Sequence, residues 1–143
     1  MVQITGLASH AGTTPMGSRR DAAAAAAEFM VALETAATGL KDCVATVGQL
    51  QVVNGSTNVV PGHVSLSLDL RAPTNDQRDG LVRSTMELLA SICKKRGVSS
   101  SVEQTLLASA APLTSSSPVL GKEPLNQPEH RFWHCPAAQV TTP

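Results

Sequence analysis

Apolar residues follow two rhythms along this chain. Val2 and Ile4 alternate with polar neighbours and run into Gly6, which predicts a short strand ending in the loop Ser9-His10-Ala11-Gly12-Thr13-Thr14-Pro15. A helix is expected next. Ser18 followed three residues on by Asp21 reads as an N-terminal capping pair, the alanine run 22–27 has the highest helix propensity, and Phe29, Leu33, Ala36 and Leu40 extend an apolar stripe towards Gly39. Between Val44 and Val53 the apolar positions are 45 and 47, then 50 and 52, so the alternation slips at Gly48 and predicts a bulged strand.

After the turn Asn54-Gly55-Ser56-Thr57-Asn58 and the break Pro61-Gly62, residues 63–71 alternate strictly. Val64, Leu66, Leu68 and Leu70 take one face, and His63, Ser65, Ser67, Asp69 and Arg71 the other. Thr74 with Gln77 makes the capping box of a second helix, with Leu81, Thr85, Leu88, Leu89 and Ile92 as its stripe and Lys94, Lys95, Arg96 and Gly97 at its end. Residues 98 to about 109 read as a fourth strand with Val102 and Leu106 inward.

Strand, helix, strand, strand, helix, strand is the order of an α+β ferredoxin-like βαββαβ plait, a four-stranded, mostly antiparallel sheet with two helices on one face. The leucines of the third strand then face the helices, and Asp69 and Arg71 point to the open side. The pattern holds for residues 1–111, which we take as one domain; residues 112–143 carry six of the nine prolines and Ser115-Ser116-Ser117, and are expected to be an irregular tail.

Composition narrows the function classes. Eleven basic residues balance eleven acidic ones, and there is no Tyr, two Phe and one Trp, so the basic footprint and stacking platform of a nucleic-acid binder are missing. No apolar run approaches the roughly 20 residues of a membrane span, and the first residues lack a basic flank before an apolar signal core, so a cytoplasmic protein without membrane association is expected. Cys43, Cys93 and Cys135 are few and scattered, which suggests neither a disulfide framework nor a zinc ribbon; the first two read as buried thiols.

Three residues stand out as candidates. His10 sits among small, turn-forming residues at a strand end, either as a solvated loop histidine or as a donor, base or ligand. Arg71 offers a planar guanidinium suited to a carboxylate, or else pairs with Asp69. Asn58, at the mouth of a turn, either caps its own backbone or binds a ligand. His63 reads as a surface residue, and His134-Cys135 has no second ligand pair at zinc spacing. From the residues alone this is a plait with a polar open face and no complete catalytic machinery.

Four strings, in order, carry a resemblance: Gly6-Leu7-Ala8-Ser9-His10-Ala11-Gly12-Thr13-Thr14-Pro15-Met16, Arg19-Arg20-Asp21-Ala22, Asn58-Val59-Val60-Pro61-Gly62 and Leu68-Asp69-Leu70-Arg71. Together they resemble the lid, or dimerisation, domain of the hydantoinase/carbamoylase family of dinuclear-metal amidohydrolases, which includes N-carbamoyl-L-amino acid hydrolases and allantoate amidohydrolases. The resemblance implies a homodimer formed through the lid and a small, carboxylate-bearing ureido substrate. It also implies hydrolysis of a linear amide or carbamoyl C–N bond by metal-activated water.

By the same resemblance His10 reaches across the dimer to stabilise the oxyanion of the tetrahedral intermediate, while Asn58 and Arg71 hold the substrate carboxylate. Two divalent metal ions, zinc or manganese, are expected in the parent enzyme on a metal-binding domain outside this segment. This chain by itself is expected to bind no metal and to be inactive. The tail departs from the family, which continues past the fourth strand with a helix and a Gly-His-Asp metal-ligand segment. The alternative of another class is a free-standing plait used as an interaction or small-molecule regulatory module.

Overall fold

The structure, a computed structural model, describes residues 1–103. Leu106, Cys135, the expected boundary near Ala111 and the aromatic and histidine residues of the tail lie outside the described residues.

Ten regular elements run along the described residues: β1 (Val2–Thr5), β2 (Ser9–His10), α1 (Ala22–Thr38), β3 (Val44–Thr46), β4 (Leu50–Val52), β5 (Val59–Val60), β6 (His63–Leu66), β7 (Asp69–Arg71), α2 (Asn75–Arg96) and β8 (Ser99–Val102), with a short 3-10 turn at Met16–Ser18. The main sheet has the order β4-β6-β1-β8, every neighbour antiparallel, which is the order of the expected plait.

The expected bulge is present. Val44 pairs with Arg71 and Thr46 with Asp69, whereas Leu50 pairs with Leu66, so residues 47–49 face only residues 67–68 and one residue is extra. The Ser67 hydroxyl accepts the Gln49 N–H at 2.9 Å, and the Ser67 N–H donates to the Gln49 carbonyl at 3.0 Å. A side-chain oxygen thus satisfies an amide that the slipped ladder leaves over.

The core lies between helices and sheet. Val2, Ile4, Val64 and Leu66 form its floor, and Ala22, Ala25, Ala26, Phe29 and Leu33 of α1 pack on it with Leu89, Ile92 and Cys93 of α2. The alanines let α1 approach the sheet closely, so Phe29, with no exposed surface, fills the remaining depth and contributes about 1.5–3 kcal/mol by its burial. Glu28 ties the two helices together, accepting from Lys95 Nζ at 2.8 Å and from Arg96 Nε. Among the described residues no helix is long and apolar enough to cross a membrane.

Local details depart from expectation: the third strand, read as continuous over 63–71, is divided at residues 67–68, opposite the bulge, into β6 and β7. The cap of α1 is Asp21, whose Oδ1 accepts from the amides of Ala23 and Ala24 at 2.9 and 3.0 Å, because Ser18 is already spent in the 3-10 turn. The stripe of α1 runs 22, 25, 26, 29, 33 and 37, so Ala36 and Leu40 are exposed. Val102 stands opposite buried Val2 but on an edge strand, and remains 49% exposed. Cys93 is buried as expected, whereas Cys43 is only half-buried. The second helix matches its signals: Gln77 N–H donates to Thr74 Oγ1 at 3.3 Å, and Gly97 closes the end in the left-handed region at φ 65°.

Candidate functional site

One end of the plait gathers three of the four strings. The β1–β6 ladder, which pairs Thr5 with His63, continues beyond the sheet as Gly6 N–H donating to Gly62 O at 2.8 Å, then as the β2–β5 pairing of Ser9 with Val60 and His10 with Val59. The Ala11 N–H donates to the Asn58 carbonyl at 2.8 Å, so the backbone that carries His10 runs against the backbone that carries Asn58. Leu7 N–H donates to Arg20 O at 2.9 Å and Ala22 N–H to Pro61 O at 2.9 Å, which fastens the start of α1 to both loops. Such close approach requires glycine. A Cβ at Gly6 would overlap the Arg20 carbonyl, and one at Gly62 would lie 2.6 Å from the Ala8 nitrogen.

His10 is exposed, and its Nδ1 accepts the Gly12 N–H at 3.0 Å. In a neutral imidazole this places the proton on Nε2, which makes the outer ring nitrogen a donor. The Asn58 side chain accepts the Ser56 hydroxyl at 3.0 Å through Oδ1; among the described residues its amide nitrogen has no partner and can donate. The alternative in which Asn58 caps its own backbone is thus not the one seen: its Oδ1 makes a side-chain contact within the same turn. His63, half-buried, shares a hydrogen bond with Thr5 Oγ1 at 3.1 Å.

Arg71 lies elsewhere. It is eight positions along the chain from His63, at most roughly 26 Å, on a strand separated from β6 by the break at residues 67–68, and His10 and Asn58 lie past the His63 end. Both the Nε and Nη2 of Arg71 donate to Asp69 Oδ2, at 3.0 and 2.7 Å, and the two side chains are 71% and 55% exposed. The hydrogen bond to Asp69 and its charge raise the Arg71 pKa further above its usual value. The alternative reading of Arg71, a pair with Asp69, is thus the arrangement in the single chain. One copy brings His10 and Asn58 together and keeps Arg71 apart.

Sequence reasoning missed Arg19. Its Nη2 donates to Ala11 O at 2.6 Å and its Nε to Thr14 O at 3.1 Å, bracketing the turn that carries His10. Arg19 opens one of the four strings that carry the resemblance, but no role was attached to it. Among the described residues no group of three His, Cys, Asp or Glu side chains is placed to hold a metal ion, so these residues do not supply the donor set of a metal centre.

Comparison with known proteins gives this arrangement a family. The model of the peptidase dimerisation domain matches residues 1–97. An N-carbamoyl-L-amino acid amidohydrolase of Geobacillus stearothermophilus is 38% identical over 128 residues, covering 90% of this chain and 29% of that protein. A probable allantoate deiminase of Oryza sativa subsp. japonica is 36% identical, over 78% of this chain and 26% of its own length. Among solved structures, a hydantoinase/carbamoylase family amidase from Burkholderia ambifaria superposes with a TM-score of 0.75 at 36% identity, covering 78% of this chain and 27% of that one.

The chain belongs to the peptidase dimerisation domain family, and its relatives are amidohydrolases of the hydantoinase/carbamoylase kind. It spans between about 23% and 29% of the length of the curated relatives it matches.

Proposed function

We propose that this chain is the substrate-gating and dimerisation lid of a metal-dependent amidohydrolase that cleaves a linear amide or carbamoyl C–N bond. The substrate class is a ureido acid with a free carboxylate, such as an N-carbamoyl-L-amino acid or allantoate, the compounds named for two relatives. One observation carries the reading: His10 presents an Nε2 donor on a loop whose backbone is bonded to that of Asn58, while Arg71, paired with Asp69, stands on a separate short strand beyond the other end of β6. A small substrate cannot touch both ends of one lid. It can be shared by two, with His10 and Asn58 from one copy and Arg71 from its partner.

In that arrangement Nε2–H of His10 donates to the oxygen that gains charge as the amide carbon becomes tetrahedral. Arg71 turns from Asp69 to the substrate carboxylate, which its two-pronged guanidinium fits. Asn58 orients the substrate next to His10, a regrouping relative to the expectation that it works beside Arg71. Two divalent metal ions, zinc or manganese, belong in this reading to the part of the parent protein that the chain does not span.

The test is exchange of residues 1–103 for the matching segment of the Geobacillus stearothermophilus relative, followed by assay on N-carbamoyl amino acids. The exchanged enzyme is expected to turn over, and His10→Ala within it to lower kcat by about 100- to 1,000-fold. A His10→Ala enzyme with full kcat overturns the role of His10. Light scattering of the 143-residue chain is expected to give twice its 14.8 kDa; a monomer favours the free-standing module instead.

A further inference from the structure

The turn that follows His10 is closed by a side chain outside it. Thr14 N–H and Thr13 N–H donate to the His10 carbonyl at 3.0 and 3.4 Å, which wraps residues 11–14 around that oxygen. This folding aims the Gly12 N–H at His10 Nδ1. The ring lies directly on Gly12, where a Cβ would stand 3.1 Å from His10 Cε1, so orientation of the imidazole and conformation of the turn are one variable. The carbonyls of Ala11 and Thr14, at the two ends of the turn, are both taken by the half-buried Arg19 guanidinium.

We propose that Arg19 is a positioning residue: by bridging the Ala11 and Thr14 carbonyls it keeps the 11–14 turn closed and holds His10 in the tautomer that carries its proton on Nε2. The origin of the side chain is itself fixed. Arg19 N–H donates to Met16 O at 3.4 Å, and the next residue receives Leu7 N–H on its carbonyl. A planar fork satisfies two carbonyls in one geometry, whereas a lysine ammonium is a point donor on a flexible stem. Without the fork the two carbonyls turn to water, the turn opens, and the Gly12 amide no longer selects Nδ1 as the acceptor. The consequence for catalysis rests on the role proposed for His10; the tautomer does not.

The experiment is a two-bond ¹H–¹⁵N correlation spectrum of the His10 ring in the 143-residue chain, at a mildly alkaline pH where imidazole is neutral. In the unsubstituted chain Nε2 is expected at a protonated and Nδ1 at an unprotonated shift. In Arg19→Met the two shifts are expected to move towards each other as the tautomers mix, and in Arg19→Lys to move part of the way, with the amide shifts of Ser99–Val102 unchanged as the sign of an intact fold. A protonated Nδ1 in the unsubstituted chain overturns the proposal at once, and so does a folded Arg19→Lys whose ring shifts are unaltered. If Arg19→Met does not fold, Arg19→Lys decides.

In the lid-exchanged enzyme, Arg19→Lys is expected to lower kcat, by up to about 100-fold, with KM held. Mixed tautomers without a fall in kcat leave Arg19 as the positioner and remove His10 from the chemistry, so the two failures are distinguishable.

Discussion

The two ends of the sheet hold their candidate residues in opposite ways. At the loop end, the orientation of His10 follows from a mesh of backbone hydrogen bonds: Ala11 to Asn58, Gly6 to Gly62, Leu7 to Arg20, and Gly12 to the imidazole itself. At the other end, Arg71 projects from a three-residue strand beside a bulge and is held only by Asp69, in an exposed pair of the kind that adds little to stability. The lesson is one of division of labour. On the proposed reading, His10, which would meet a developing charge, is placed by backbone, where displacement is expensive, and Arg71, which would leave one carboxylate for another, is placed by a side-chain contact that exchanges easily.

The loop end should therefore break first when its backbone packing is disturbed. Gly6→Ala drives a methyl group into the Arg20 carbonyl and is expected to cost about 3 kcal/mol, read as a fall in thermal midpoint of roughly 10–20 °C. Gly17→Ala, where a Cβ meets nothing within 4 Å, is the matched control and should leave the midpoint in place. Equal effects at the two glycines would dissolve the contrast between a meshed and an unmeshed backbone.

Next in size is Asp21→Ala, which removes the acceptor for two helix amides just behind the loop. Its expected cost is about 1 kcal/mol by chemical denaturation, with no change in m-value.

Between the two ends, Glu28 supplies a pH dependence. Its hydrogen bonds to Lys95 and then Arg96 lower its pKa from the usual 4.5. A carboxylate depressed in the folded state contributes stability that is present above 4.5 and is lost as the pH falls through the lower folded value. Thermal midpoints measured across that acid range are expected to fall less steeply for Glu28→Gln than for the unsubstituted chain.

The smallest effect belongs to Asp69→Asn. It frees Arg71 and should leave the thermal midpoint unchanged, because the pair it breaks is solvated on both sides. A midpoint that drops as far as that of Asp21→Ala would show Arg71 to be structurally anchored after all.

Much of the fold was legible in the sequence because period and punctuation agree. The strict alternation of 63–71 specified the faces of β6 and β7, and the phase slip at Gly48 marked the bulge that the pairing of Val44 with Arg71 and Leu50 with Leu66 now displays. The cap of α1 was misplaced because Ser18 and Asp21 are both good capping residues and nothing local shows that a 3-10 turn takes the first. Val102 was expected inward because period alone does not distinguish an edge strand from a central one.

The candidate site was legible as a set of residues but not as a grouping. Which of His10, Asn58 and Arg71 are neighbours depends on the antiparallel register that sets Thr5 against His63, and that register carries Ala11 to Asn58. Arg19 stood in one of the four strings, but its role was not legible, for a related reason. Its partners are two backbone carbonyls, which no residue type announces.

The proposed division of the site between two copies is tested most directly by complementation in the lid-exchanged enzyme. His10→Ala and Arg71→Ala proteins, each inactive, are mixed under conditions that let subunits exchange. A site built from His10 of one copy and Arg71 of the other leaves one intact site in each mixed dimer, so random pairing should restore about a quarter of the original activity. His10→Ala mixed with Asn58→Ala should restore none, since those two residues share a copy. A mixture of His10→Ala and Arg71→Ala that stays inactive although mixed dimers form would contradict the account.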